Sequence, residues 1–101
     1  MSYAYQVEEW NYAFDPQKNA WLIQERGIGF EQIIALIENG NLIQVLEHPD
    51  KARYPNQLLY EVDVDGYIYV VPVVRAGQIL FLKTVFPSRK ATKKHKTENP
   101  K

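Results

Sequence analysis

Six positions of this 101-residue chain carry side chains suited to handling a charged phosphate: His48, Arg53, Tyr54, Lys83, Arg89 and Lys90. A histidine holds or donates a proton near neutral pH, and His48 opens a loop at the end of a strand pattern, where functional side chains often sit. Arginine binds phosphate through two parallel hydrogen bonds, and a tyrosine stacks on a base or donates its hydroxyl. Lys83 interrupts an apolar row, Ile79, Phe81, Lys83 and Val85, expected on one face of a strand. A lysine there must reach water, a carboxylate or a ligand. Arg89 and Lys90 follow that strand at once, so their backbones are positioned. Such a set suits one reaction. RNA carries its own nucleophile, the 2′-OH, and its attack on the adjacent phosphate needs a base, an acid and cations around the phosphorane, without metal or cofactor.

Other chemistries find no matching pattern. The chain has no cysteine, which removes disulfides, thiolate catalysis and Cys-ligated metals. Two histidines and unclustered carboxylates make a metal site unexpected. Gly27 and Gly29 read as a helix stop and a helix start, not as a phosphate loop, and neither a nucleophile elbow nor a His-Glu-x-x-His helix occurs. Asp63 and Asp65 read as solvent-facing hairpin residues. His95, deep in the basic end, is not assigned a catalytic role.

The formal net charge is zero, yet its distribution is uneven. Residues 1–87 hold six basic and eleven acidic residues, net −5; residues 88–101 hold six basic residues against Glu98, net +5. Neutrality is thus no argument against a polyanionic partner: an anion is expected at the C-terminal end.

The elements that must position these residues follow from spacing. Asp15-Pro16 starts a helix, the Asp accepting from first-turn N–H groups and the Pro losing no needed donor. It runs over about Pro16–Arg26 with Ala20, Trp21 and Ile23 as its buried stripe, and stops at Gly27. A second helix covers about Phe30–Asn39, where Phe30, Ile33, Ile34 and Ile37 recur on one face. Strands are expected at Asn41–Glu47, Gln57–Val64, Tyr67–Val74 and Ile79–Phe86. His48–Asn56 is a polar loop, Asp65-Gly66 a type I′ turn, and Pro72 a bulge or the end of regular pairing. Residues 1–13, with Tyr3, Tyr5, Trp10 and Tyr12, form an aromatic arm, strand-like from Glu9 to Phe14. Ser88–Lys94 is a short capped helix. The fold class is α+β: two N-terminal helices on an antiparallel meander, with a short basic C-terminal helix or tail. One domain is expected over 1–96 and a disordered tail over 97–101. No secretory signal and no membrane-length apolar run are read, which points to the cytoplasm.

Phe14-Asp15-Pro16-Gln17-Lys18-Asn19-Ala20, then Gly27-Ile28-Gly29-Phe30-Glu31, resembles the start of BrnT-type toxins. There an aromatic-Asp-x-x-Lys helix start precedes Gly-Ile/Val-x-Phe-Glu. Pro87-Ser88-Arg89-Lys90-Ala91-Thr92-Lys93-Lys94-His95 resembles their terminal Ser-Ala-Arg-Arg-Ala-Thr-Arg-Arg. Where many such toxins carry Lys-His-Gly after the first helix, this chain carries Glu25-Arg26-Gly27. The resemblance covers about residues 10–95. It implies a RelE-like toxin of a type II toxin–antitoxin pair, a metal-independent endoribonuclease without cofactor, held by a cognate antitoxin. Operator DNA would be met only through that complex. The family's basic motif falls on Arg89, Lys90, Thr92 and Lys93, and its helix-start lysine on Lys18. The expected site therefore has His48, Lys83, Arg89 and Lys90 in catalysis, and Lys18, Arg53, Tyr54, Thr92 and Lys93 binding RNA. The other reading is a non-catalytic interaction module whose basic end docks an acidic protein or assists operator binding.

Overall fold

The computed structural model describes residues 11–98, with side chains through His95. Tyr3, Tyr5, Trp10 and Glu9 of the expected arm, and residues 99–101 of the expected tail, lie outside the described residues, whereas residues 97 and 98, expected to be disordered, belong to the C-terminal helix. The class is α+β, with three helices and one mixed six-stranded sheet among the described residues. In chain order these are β1 (Asn11–Phe14), α1 (Pro16–Arg26), α2 (Phe30–Glu38), β2 (Leu42–Glu47), β3 (Gln57–Val64), β4 (Tyr67–Ala76), β5 (Ile79–Leu82), β6 (Phe86–Pro87) and α3 (Arg89–Glu98).

The sheet order is β1-β5-β4-β3-β2, with β6 pairing the far end of β4. β2, β3, β4 and β5 are antiparallel neighbours, but β1 adds to β5 in parallel, so the sheet is not the pure meander expected. Residues facing each other across a ladder share a face. One face therefore presents Tyr60, Val62, Val71, Val73, Leu80 and Leu82, with Tyr12 and Phe14 from β1. Leu22 of α1 and Phe30 and Ile33 of α2 close over it as the main core. Phe14 stacks on Phe30 with ring centres 5.0 Å apart.

Local chemistry accounts for the helix pair. Asp15 accepts from the Gln17 amide at 2.9 Å, and Gly27 stops α1 at φ 72°, in the left-handed region that favours glycine. Gly29 offers α2 no side-chain cap. Asn19 on α1 supplies one instead, its Oδ1 accepting from the Phe30 amide at 2.7 Å. The expected stripe of α1 is corrected: Leu22 is its one buried residue, while Ala20, Trp21 and Ile23 are exposed. A peripheral helix touches the core along one line only. The Trp21 ring is covered instead by Lys18 and Arg26, at 4.4 and 5.0 Å from its centre.

The hairpin turn has positive φ at both Asp65 (54°) and Gly66 (90°), as a type I′ turn requires. Asp63 Oδ1 accepts from the Gly66 amide at 2.7 Å, giving that carboxylate a turn-forming task. Pro72 does not end β4, which runs on to Ala76 with Pro72 paired to Leu59. Its missing donor falls where the neighbouring strand gives way. The Lys83 amide donates to the Pro72 carbonyl at 2.9 Å, and then the ladder lapses. The strand expected over Ile79–Phe86 is thus two strands separated by Lys83, Thr84 and Val85. Val85 does not share a face with Lys83 but turns into the main core, and Arg26 Nη1 donates to its carbonyl at 2.6 Å.

Candidate nucleic-acid interface

The C-terminal helix α3 lies on the sheet face opposite α1 and α2, packing Ala91 against Ile68, Val70 and Leu59. Ser88 Oγ accepts from the Ala91 amide at 3.0 Å and caps the helix. Ser88, Ala91, Thr92 and His95 recur at i, i+3, i+4 and i+7 and form its inner stripe. Thr92 is 6% exposed. Its Oγ1 accepts from the Ile68 amide at 2.8 Å and donates to the Ser88 carbonyl at 2.8 Å. Further along, His95 Nε2 meets Glu61 Oε1 at 2.7 Å, and Lys94 Nζ lies 3.6 Å from the same oxygen and 3.0 Å from Gln44 Oε1. Glu61 is only 5% exposed, so this carboxylate is compensated almost wholly by α3. Seated this way, the helix holds Arg89, Lys90 and Lys93 exposed on its outer side.

The expected site residues do not converge. Thr92 is beneath the helix, engaged with the β4 backbone, and is not on a surface RNA can reach. Lys18 belongs to α1, on the opposite sheet face, and sits over Trp21. His48, Arg53 and Tyr54 gather at the end of the sheet where β2 finishes and β3 begins. Ser88 joins the other end, its amide donating to the Ile68 carbonyl. From Gln57 to Val64, β3 spans roughly 25 Å at ~3.3 Å per residue, and this length separates the two groups.

Within the His48–Asn56 loop, His48 Nδ1 accepts from the Asp50 amide at 3.0 Å, and the ring lies 4.4 Å from that of Tyr54. That contact leaves Nε2 as the nitrogen able to reach a ligand. Arg53 is highly exposed, with its Nε 4.0 Å from Asp50. Lys83 is not inside a strand, but the register of its amide on Pro72 continues that of β5 and keeps it beside Phe81's face. It is exposed.

A 430 Å³ open cleft lies beside the His48–Asn56 loop, lined by Glu47, Pro55, Asn56, Leu58, Arg75 and Gly77. Close to it, burial raises the Tyr60 phenol, an effect that the Arg75 charge opposes. Burial also raises Tyr12, reinforced by Tyr60 and Glu38. Glu47 and Arg75 both line the cleft, so it carries charges of both signs. Among the described residues, no three His, Asp or Glu side chains gather as a metal-binding group, and no helix is long and apolar enough to cross a membrane.

Sequence reasoning missed the Glu61–His95 pair. Its signal was present: a glutamate inside an apolar strand, and a histidine in i+7 spacing from the helix cap. No protein-family description, curated protein or solved structure matches this chain.

Proposed function

We propose that the chain is the toxin half of a type II toxin–antitoxin pair, acting on RNA in the cytoplasm through the outer side of α3. The carrying observation is the seating of that helix. Thr92 and His95 tie it to the sheet, so Arg89, Lys90 and Lys93 form a fixed row of cations on an otherwise acidic body. A fixed row binds a phosphate backbone without the ordering cost of a loose tail. The α+β class and the basic C-terminal helix are compatible with the BrnT-like reading that the sequence motifs suggest, although β1 joins the sheet in parallel.

In this reading a ribose 2′-OH attacks the adjacent phosphate and gives its proton to water, while the 5′-oxygen leaves with a proton from the Lys83 ammonium, so that a 2′,3′-cyclic phosphate and a 5′-OH form; Arg89 and Lys90 stabilise the phosphorane between them, and no metal or cofactor is required. The cognate antitoxin covers the same basic surface. The test is growth arrest on expression, together with RNA cleavage by the purified chain in chelator. Arrest and cleavage by wild type, with both abolished in Arg89→Ala/Lys90→Ala, is the expected result. Equal behaviour of the two proteins overturns it.

One observation favours a second reading, the non-catalytic interaction module. His48 stands at the other end of the sheet from Arg89 and Lys90, so the proposed proton donor and the cations share no cleft. Under that reading the purified chain leaves RNA intact and forms a tight complex with an acidic protein through α3.

A further inference from the structure

α3 covers only part of its sheet face. It sits over Ile68, Val70, Leu59 and Glu61, and leaves the strand ends beyond them open. The open part is not polar. Ile79, Phe81 and Phe86 are 46%, 37% and 36% exposed along the outer side of β4, where Phe81 pairs with Val74 and Phe86 with Val70. Lys83 lies between the two rings, level with Pro72. The strand positions of this open area, Asn11, Ala13, Val74, Ala76, Ile79, Phe81 and Phe86, include no carboxylate. The cations at the start of α3 follow directly from Phe86 and Pro87.

We infer that this open half of the sheet is a stacking platform for unpaired bases, so that the RNA bound by the chain is single-stranded. The inference rests on the RNA reading above and deepens it by naming the substrate class. Phe81 and Phe86 each offer a ring to a base, and Lys83 between them meets the linking phosphate. The strand then continues onto Arg89 and Lys90. Rings interleaved with cations, on a surface whose described strand positions carry no carboxylate, are the pattern by which proteins hold single strands, because every base has a π-face and every link a charge. A duplex keeps its bases stacked on each other and offers the rings nothing. An apolar protein segment fits less well, because the Lys83 ammonium divides the apolar row.

The test measures binding of a short fluorescein-labelled 2′-O-methyl RNA, which lacks the nucleophile and is not cut, as single strand, as duplex and as abasic strand. Single-stranded RNA is expected to bind at least ten-fold tighter than the other two. Phe81→Ala and Phe86→Ala each weaken single-strand binding about ten-fold, leaving the salt dependence of affinity unchanged. Lys83→Ala flattens that dependence by about 0.7 in the log–log slope. Phe81→Leu separates stacking from plain apolar contact: loss like that of Phe81→Ala supports the platform, while wild-type affinity overturns it and favours a protein segment as occupant. Equal binding of single strand, duplex and abasic strand also overturns it. In that event a slope still lowered by Arg89→Ala/Lys90→Ala keeps the RNA reading standing, so the two failures are distinguishable.

Discussion

Replacing Thr92 by valine tests whether α3 is a built part of the domain or a loosely attached tail. Valine matches the shape of threonine, so no cavity opens, and the change removes only the hydroxyl. That hydroxyl serves the Ile68 amide at 2.8 Å and the Ser88 carbonyl at 2.8 Å. The second loss is small, because the Thr92 amide already donates to the same Ser88 carbonyl at 3.0 Å. The first leaves a buried N–H without an acceptor, which costs about 1–3 kcal/mol. Against a typical domain stability of about 5–15 kcal/mol, a loss near 2 kcal/mol is a large share. In urea the midpoint is expected to fall by about 1 M with an unchanged slope. Amide exchange at Ile68 should quicken, and RNA affinity should drop because the cation row of α3 is no longer held. Thr92→Ser keeps the oxygen and loses one methyl, costing about 1 kcal/mol or less. A midpoint for Thr92→Val within error of wild type, or a serine variant as damaged as the valine one, refutes the anchoring role.

The remaining predictions concern the other face and the site itself. A Cβ at Gly29 would lie 2.7 Å from Asn19 Oδ1 and 2.8 Å from Ile23 Cγ1, so Gly29→Ala disturbs the oxygen that caps α2 and should cost about 1–3 kcal/mol in urea unfolding. Burial raises the Tyr12 and Tyr60 phenols above their usual value near 10. A raised folded-state value means the stabilisation is complete below the ordinary phenol range and lost as pH rises through the folded one; Tyr60→Phe should therefore lessen alkaline unfolding, read by circular dichroism across that range. Arg89→Ala/Lys90→Ala should abolish growth arrest and RNA cleavage while leaving the urea midpoint nearly unchanged, since both side chains are exposed. Phe81→Leu should lose single-strand RNA binding as fully as Phe81→Ala.

Much of the architecture was legible because its signals are local. Asp15-Pro16 and Gly27 bound α1 through cap and left-handed geometry that nearest neighbours decide, and Asp65-Gly66 specifies its turn in the same way. The apolar period of α2 identifies a face whatever it meets, and the split between an acidic body and a basic end is simple counting. Tertiary packing decided the rest. The parallel pairing of β1 with β5 joins segments far apart in the chain, and no local pattern encodes a partner. Leu22, rather than Trp21 or Ile23, is the buried residue of α1, because its position over the sheet chose one line of contact among several apolar candidates. The break at Lys83–Val85 arose where the Pro72 nitrogen has no hydrogen to give the adjoining chain. Distance in space also separated His48 from Arg89, and the sheet beneath α3 took Thr92 and His95 into its anchoring through the Ile68 amide and Glu61. Residue types alone determined that the basic end can meet an anion. Only the folded chain decided which of its side chains face outward, because burial of Thr92 and compensation of Glu61 use up the inner ones.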